Sequence, residues 1–356
     1  MRTPPSPTAS SSNTTVRRSW FTSNNGLANG GANPKRCKGI LPLVKIYLSP
    51  KTTVARIPKT NKRAGGERTT HKPVSEANGR STNPALHGYL DGLVRRYERP
   101  AFISKDPISI PHGFSDREDR AVIGLFAALL AWGRRDVMLR KLRELCERMR
   151  MQPARFVRRY DDRRDAERLD GFKHRTFQPI DARWLVKNLR SALEKYGSMQ
   201  RLFTRHLVPS AEHVGPAIQG FSETILQIDP ETPARLRKHL ARPEAGSACK
   251  RLAMYLRWMV RGGPVDFGTW RQIRPAQLLV PLDTHSGRTA RRLGLLRGRK
   301  SNDWKAALQL TRRGRRLAPR DPARYDFALF GAGVSDASLA ERLASSPDDE
   351  ADATVR

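Results

Sequence analysis

Two side chains of this sequence, Asp283 and Lys250, stand where they could do chemistry on an anionic partner. Asp283 is the lone acid in VPLDTHSGRTARRLGL and comes just before arginines on a helical pattern. Either Asp283 or Thr284 is well placed as the N-cap of that helix, and capping is the simpler interpretation. A capping aspartate can also serve a reaction when an amine or a developing cation lies opposite its carboxylate.

Lys250 follows a turn of small residues in EAGSACKRLAMYLRWMVRGG, which leads into an amphipathic helix. The dipole and the free N–H groups of a first helical turn favour anions, so a lysine there is unfavourable as mere surface decoration. Together with the turn residues Gly246 and Ser247 it can bind phosphate. In positive surroundings its amine can instead lose a proton and act as a nucleophile. A solvated lysine without such a role is the alternative.

Two other stretches mix aromatic and basic side chains. LDGFKHRTFQ places Lys173 and Arg175 among phenylalanines after a turn, and AWGRRD ends an apolar helix with Trp132 and opens the next with Arg134 and Arg135. This mixture suits base stacking and phosphate contacts, although packed loops show the same composition. Core packing is the preferred interpretation for the tryptophans that could stack on a base: Trp132, Trp258 and Trp270.

The composition narrows the class of partner and cofactor. Lys+Arg 67 against Asp+Glu 34 in 356 residues gives a formal net charge of +33, which points to nucleic acid first and an anionic membrane surface second. No apolar run is long enough to span a bilayer. Cys37, Cys146 and Cys249 are far apart, so a disulfide framework and a multi-cysteine metal site are not expected. The sequence predicts no metal, no cofactor and a reducing, intracellular compartment.

The chain divides into three parts by composition. Residues 1–84 are rich in Ser, Thr, Asn and Gly, with no acid before Glu67, and are expected to be a disordered basic extension. This extension can be an organellar transit peptide, an overlong start-codon assignment or a nucleic-acid-binding tail. Residues 85–335 form the expected helical domain, and residues 336–356 an acidic tail.

Helical periodicity dominates the middle part. SDREDRAVIGLFAALLAWG begins with a capping signal at Ser115 and becomes almost wholly apolar, as a buried central helix would. Alternating strand patterns are nearly absent, so the sequence predicts an all-α fold. Besides LHGYLDGLVRRYE and DVMLRKLRELCERM, helices are expected at about 181–196, 198–206, 212–228, 247–260, 284–293, 302–317 and 321–332.

Several of these stretches resemble a known family. LDTHSGRTARRLGL resembles the segment of helix-hairpin-helix DNA glycosylases of the endonuclease III type in which apolar–Asp–Thr–His precedes Arg and Leu-Gly-Leu. GSACK is similar to that family's Gly-x-Gly-x-Lys hairpin, with Ala248 in place of the second glycine, and LDGFKHR to the segment before the hairpin. ACKRLAMYLRWMVR, PLDTH and RYDFALFGAGV resemble, more closely, an uncharacterised bacterial family of glycosylase-like proteins. The resemblance covers roughly residues 86 to 335.

The resemblance implies a two-lobed helical fold with a helix-hairpin-helix-like element and an activity in base excision repair. A damaged base would be flipped out of double-stranded DNA. Lys250 would then attack the sugar C1′ and form a Schiff base, with Asp283 activating the lysine and stabilising the oxocarbenium ion. Strand cleavage by elimination would make the protein a DNA glycosylase and AP lyase. The expected DNA contacts are Gly246, Ser247, Lys173, Arg175, Arg134, Arg135, Arg288, Arg291 and Arg292.

A non-catalytic nucleic-acid-binding protein that keeps the glycosylase scaffold is the alternative. In either case we expect a monomer on double-stranded DNA, with no membrane association. The expected location is the bacterial cytoplasm at the nucleoid, or an organelle if the N-terminus is a transit peptide.

Overall fold

The computed structural model describes residues 83–334, and helices are the main secondary structure of this part of the chain. The extended pairings in this part are isolated bridges, so the predicted all-α class is confirmed. Most of the predicted basic extension and the acidic tail lie outside the described residues, but Asn83 and Pro84 form the N-cap and the first residue of helix α1. The predicted domain boundaries stay a prediction.

The described α-helices are α1 (Pro84–Tyr97), α2 (Ser109–His112), α3 (Arg117–Leu129), α4 (Arg135–Arg148), α5 (Pro153–Arg158), α6 (Asp162–Leu169), α7 (Pro179–Tyr196), α8 (Met199–Thr204), α9 (Gly215–Gln227), α10 (Lys250–Val260), α11 (Thr284–Arg292), α12 (Trp304–Leu317) and α13 (Tyr325–Val334). Short 3-10 helices lie at Pro100–Lys105, Ala234–Lys238, Pro275–Gln277 and Pro322–Arg324.

Helix α3 is the buried central helix that the apolar run predicts, since residues 121–129 are all buried. Its N-cap is Asp116, whose carboxylate accepts the Asp119 N–H at 2.8 Å, so the prediction of Ser115 as the cap was wrong by one residue. Helix α10 packs directly on α3. A Cβ at Gly124 would lie 2.9 Å from Met259 Cε, so the glycine permits this close approach.

The buried apolar side chains form two clusters. The first surrounds α3 and takes in residues from α2 to α10, and the second joins α1, α11, α12 and α13. Ala248 packs in the second cluster and the next residue, Cys249, in the first. Helix α13 likewise divides its side chains, with Phe327 in the first cluster and Ala328 in the second. The boundary between the clusters, called the seam below, therefore holds the turn before α10 and the start of α13.

None of the described helices combines the length and the apolar character needed to cross a membrane.

Candidate active site

Asp283 caps helix α11 with one oxygen of its carboxylate. Its Oδ1 accepts the backbone N–H groups of His285 at 2.8 Å and Ser286 at 2.9 Å. In return, Ser286 Oγ accepts the Asp283 N–H at 2.8 Å, which completes a capping box. The predicted capping role of Asp283 is confirmed.

The backbone of Asp283 is held from a second side. Asn302 Nδ2 donates to Asp283 O at 2.9 Å, and the Arg291 guanidinium donates to Asn302 Oδ1 at 2.7 Å. Gly287 makes room for this contact, because a Cβ there would lie 2.4 Å from Asn302 Oδ1. These contacts fix the position from which the Asp283 carboxylate extends.

Lys250 is the first residue of α10 and follows a turn with two left-handed residues. Gly246 has φ 76° and Cys249 has φ 52°, a conformation that costs a non-glycine residue about 1–2 kcal/mol. Ser247 Oγ accepts the Cys249 N–H at 3.1 Å, and Gly246 O accepts the Trp304 N–H at 2.9 Å. The turn is thus tied to the start of α12, and Lys250 extends from a fixed backbone.

The element before this turn is the short 3-10 helix Ala234–Lys238. Ala248, which replaces the second glycine of the hairpin pattern, is buried in the second cluster. The left-handed conformation falls on its neighbour Cys249 instead. The helix-hairpin-helix element stays a prediction.

Lys250 and Asp283 meet at the seam. Lys250 Nζ lies 3.7 Å from Asp283 Oδ2, the oxygen that does not cap the helix. The two side chains are 29% and 39% exposed, so a ligand can reach them. Burial raises the pKa of Asp283, but the charge of Lys250 and the hydrogen bonds from Ser286 and His285 outweigh it and hold that pKa below its usual value. An ionised carboxylate therefore faces the amine at neutral pH.

Two buried arginines follow Lys250 on the same face of α10. Arg257 lies two turns further along the helix, and Arg261 is the C-cap residue that follows its last turn. Arg257 forms an ion pair with Asp326 of α13, and Arg261 Nη1 lies 2.5 Å from Asp266 Oδ2. A buried charge lowers the stability of the fold unless it is paired, so these ion pairs hold α10 in place against the elements that contain their partners. The sequence interpretation missed this pair, although arginines spaced at i+7 and i+11 in an apolar helix were a readable signal.

Two further carboxylates lie close to the Lys250–Asp283 pair. Asp326 is 20% exposed and interacts electrostatically with both members, and half-buried Asp106 interacts with Lys250. Burial raises the pKa of both carboxyls, and the charges of Arg257 and Lys250 offset it only in part. The sequence interpretation singled out neither acid. The sequence contained a sign of a role for Asp326, which is the acid at the start of an apolar helix. It contained no such sign for Asp106.

The two stretches that mix aromatic and basic residues come together in space. The His174 ring Nε2 lies 3.0 Å from Trp132 O, and the Arg175 guanidinium lies 5.1 Å from the centre of the Trp132 ring. Gly133, with φ 90°, allows this packing, because a Cβ there would lie 2.9 Å from Arg175 Cδ. Burial lowers the pKa of His174. A neutral histidine thus supports a half-buried tryptophan whose ring is covered by an arginine.

This cluster lies near the start of α10. Arg251, the residue after Lys250, donates from Nη1 to Leu129 O at 2.7 Å and so joins the end of α3 to the start of α10. The segment from Trp132 to Arg135 follows directly after α3. Exposed cations of the predicted DNA surface are Arg134, Arg135, Lys173, Arg175 and Arg288.

Two arginines of the predicted DNA surface are engaged inside the protein. The Arg291 guanidinium donates to the carbonyl oxygens of residues 299–301 at 2.7–2.9 Å, and Arg292 donates to Ala332 O at 2.8 Å. Phosphate contacts by these two residues stay a prediction. Of the three arginines predicted on α11, Arg288 is the exposed one.

The tryptophans divide into two groups. Trp258 and Trp270 are 0% and 5% exposed within the first cluster, which confirms core packing for both. Trp132 is half-buried and has a buried ring nitrogen without a hydrogen-bond partner in the described residues. Trp132 is therefore the tryptophan of the three that stays a candidate for stacking.

A family model described as a protein of unknown function, DUF2400, matches residues 106–335. The chain belongs to this family. No curated protein and no solved structure matches the sequence. The DUF2400 segment begins at Asp106 and contains Lys250, Asp283 and Asp326, while α1 precedes it. The DUF2400 match names no activity, so the relationship to helix-hairpin-helix glycosylases stays a prediction.

Proposed function

We propose that this protein is a DNA repair enzyme, a DNA glycosylase with AP-lyase activity that works through a lysine Schiff base. The observation that carries the proposal is the position of Lys250 Nζ, 3.7 Å from the non-capping oxygen of Asp283. An amine with a carboxylate beside it that can act as its base, both open to a ligand, suits nucleophilic attack at a sugar carbon.

In the proposed reaction, a damaged base is first turned out of the duplex. Lys250 passes a proton to Asp283 Oδ2, and its free amine attacks C1′. The bond from nitrogen to C1′ forms as the bond from C1′ to the base breaks, and the departing base keeps the electron pair and takes up a proton. The C1′–O4′ bond then breaks, which opens the sugar ring and gives the imine, while O4′ takes up a proton. Loss of a proton from C2′ expels the 3′ phosphate and cuts the strand. Asp283 gives the proton that it received from Lys250 to the departing base, and the carboxylate that is restored stabilises the positive character that develops at C1′.

The charge distribution supports DNA as the partner. The formal net charge is +33, and binding through phosphates grows with the number of cations that contact the backbone. The segment Trp132–Arg135 is held beside the start of α10 by the hydrogen bond from Arg251 to Leu129 O. Arg135 also lowers the pKa of Asp106, as Lys250 does, so both cations lie near the same carboxyl. The exposed cation Arg135 therefore lies near a carboxyl that is also close to the proposed reacting group.

The two apolar clusters support a two-lobed organisation. Lys250 starts a helix of the first cluster, and Asp283 starts a helix of the second. In the proposed fold each cluster is the core of one lobe, and the duplex lies across the seam. The proposed enzyme acts on double-stranded DNA as a monomer.

Borohydride trapping tests the proposal. The full-length protein is incubated with a duplex that carries an abasic site, and borohydride reduces any imine to a stable covalent adduct. The adduct is expected with the wild-type protein and not with Lys250→Gln. Lys305→Gln is the matched control, because Lys305, like Lys250, is in the first turn of an α-helix, and it is exposed. An adduct that persists in Lys250→Gln would disprove the role of Lys250.

A non-catalytic nucleic-acid-binding protein is the second candidate. Two observations favour it: Lys250 and Asp283 can form a plain salt bridge between α10 and α11, and buried Ala248 replaces a hairpin glycine. DNA binding that weakens with salt, with no adduct on an abasic site or any base lesion, would support this candidate over the enzyme.

A further inference from the structure

A cavity of about 450 Å³ lies beside the end of α1 and the following 3-10 helix, with Phe330 of α13 in its wall, and is within the size range of small-molecule sites. Its wall contains the rings of Tyr97, Phe102 and Phe330. The Phe330 ring packs edge to face on the other two, with its centre 5.2 Å from that of Phe102 and 5.7 Å from that of Tyr97. Although it is a large apolar side chain, Phe330 is 39% exposed. Rings that are packed against each other yet open to a cavity suit a flat, aromatic ligand.

The rest of the cavity wall is charged. Asp106 is the carboxylate among the lining residues, and the cations are Arg96, Arg99, Lys105 and Arg135. An arrangement of aromatic rings, one acid and several cations matches a nucleotide, whose base is flat and polar at its edge and whose phosphates are anionic.

Two residues of the cavity wall, Asp106 and Phe330, relate the cavity to the Lys250–Asp283 pair. Phe330 lies one turn after Asp326 on α13, so both side chains share a face of that helix. Asp326 contacts Arg257 of α10 and interacts electrostatically with Lys250, Asp283 and Asp106. A ligand held against Phe330 therefore lies on the side of α13 that faces the proposed nucleophile.

Asp106 has hydrogen-bonding capacity to spare. Its Oδ1 accepts the Ile108 N–H at 3.0 Å, and within residues 83–334 it forms no ion pair with a lysine or arginine. Burial raises the pKa of this carboxyl. The carboxyl oxygens of Asp106 accept hydrogen bonds, so the side chain complements a base edge that presents an N–H.

We propose that this cavity receives the base turned out of the duplex and that Asp106 is the residue that reads its edge, selecting bases that present an N–H at that edge. This inference rests on the proposed glycosylase activity and adds the substrate class. Tyr97, Phe102 and Phe330 contact the flat base, and the cations at the rim hold the phosphates on either side of it.

The test separates base recognition from imine chemistry, because an abasic site has no base to read. Duplexes carry an abasic site, a base with such an edge (uracil or 8-oxoguanine), or 1,N6-ethenoadenine, whose edge has no N–H. With Asp106→Asn and Phe330→Ala, any loss of trapping on the abasic duplex is expected to be much smaller than the loss of base excision. Excision of the base that wild type prefers is expected to fall at least tenfold.

Asp119→Asn is the matched control. Asp119 is also a half-buried carboxyl that accepts a backbone N–H, from Ala154 at 2.8 Å, and burial also raises its pKa, but it lies on α3 away from the cavity. This variant is expected to excise bases at the wild-type rate. Thermal unfolding of each variant checks that the fold is kept.

Three results would overturn the inference. The first is excision by Asp106→Asn at the wild-type rate. The second is a preference of the wild-type protein for ethenoadenine over bases that present an N–H. The third is a pair of calorimetric and activity results. If nucleoside monophosphates bind in a way that depends on Asp106, while Asp106→Asn has no effect on duplexes, the cavity is a site for free nucleotides. Failure of the proposed function looks different, since the wild-type protein would then trap no abasic duplex at all. Without that activity, the inference fails with it.

Discussion

Asp283 uses its two carboxylate oxygens for different contacts, and one of them faces Lys250. Oδ1 accepts two N–H groups at the start of α11, while Oδ2 lies 3.7 Å from Lys250 Nζ. Capping and chemistry are therefore compatible roles for one residue. The cap fixes the orientation of the carboxylate, and the orientation places its second oxygen at the amine.

The first prediction separates these two roles with Asp283→Asn. An asparagine keeps an oxygen acceptor, and Asn and Asp cap helices about equally well, so the loss of stability is expected to stay below about 1 kcal/mol. The variant has no charge opposite Lys250, so borohydride trapping is expected to fall at least a hundredfold. Denaturant unfolding and trapping on an abasic duplex measure the two effects.

Asp161→Asn is the control for that prediction. Asp161 caps α6 in the same way, with Oδ1 accepting the N–H groups of Arg163 at 3.0 Å and Arg164 at 3.2 Å. It is expected to show the same small change in stability and no change in trapping. Full activity in Asp283→Asn would remove Asp283 from the proposed mechanism.

The second prediction concerns pH and two carboxyls with opposite shifts. The pKa of Asp283 is lowered in the folded protein, so its contribution to stability is present above the unfolded value, about 3.9, and is lost as the pH falls through the folded value. The pKa of Asp106 is raised, because burial disfavours its charge. Ionisation of Asp106 therefore destabilises the fold as the pH rises above about 4.

Unfolding free energies at several pH values measure these effects. At neutral pH, Asp106→Asn is expected to be more stable than wild type, and Asp283→Asn slightly less stable. Both differences are expected to shrink as the pH approaches 2, where wild-type carboxyls become neutral. A neutral-pH loss of stability in Asp106→Asn would show that its charge is better compensated than its burial implies.

The sequence was sufficient for the main helices and for the cap at Asp283. Long apolar periods predicted α7, α10 and α12 to within a few residues, because such helices bury a continuous stripe of side chains. The segments Pro153–Arg158 and Asp162–Leu169 escaped notice, because about two turns or fewer give too little periodicity to recognise.

The neighbourhood of Lys250 could not be predicted in the same way. Asp106 and Asp326 come from distant parts of the chain, and a solitary acid has no spacing that reveals its partner. The reverse holds for Arg291, which looked like a phosphate contact by its position on a basic helix. Its guanidinium binds the carbonyls of residues 299–301, and only the folded loop shows this.

The third prediction tests the packing of Arg175 on Trp132 with Gly133→Ala. Gly133 has φ 90°, and a Cβ would lie 2.9 Å from Arg175 Cδ, so alanine strains the backbone and displaces the arginine. The expected loss of stability is about 1–2 kcal/mol, with a change in tryptophan fluorescence. Gly88→Ala is the control, because a Cβ there meets nothing within 4 Å and α1 should gain up to about 1 kcal/mol. Unchanged stability in Gly133→Ala would mean that the Trp132–Arg175 contact is loosely held.

The fourth prediction distinguishes two arginines of α11 by what their side chains contact. Arg288 is exposed, so Arg288→Ala is expected to leave stability unchanged and to lower the slope of log K against log salt for DNA binding by about 1. Arg291 donates to three carbonyl oxygens and to Asn302 Oδ1. Arg291→Ala therefore leaves several acceptors without a donor and is expected to cost about 2 kcal/mol or more of stability.

Because Asn302 also holds Asp283, this loss should carry over to the reacting pair. Trapping by Arg291→Ala is expected to fall even at low salt, where Arg288→Ala binds and reacts like wild type. The reverse pattern, with trapping sensitive to Arg288 and not to Arg291, would mean that phosphate contact matters more than the support of Asp283.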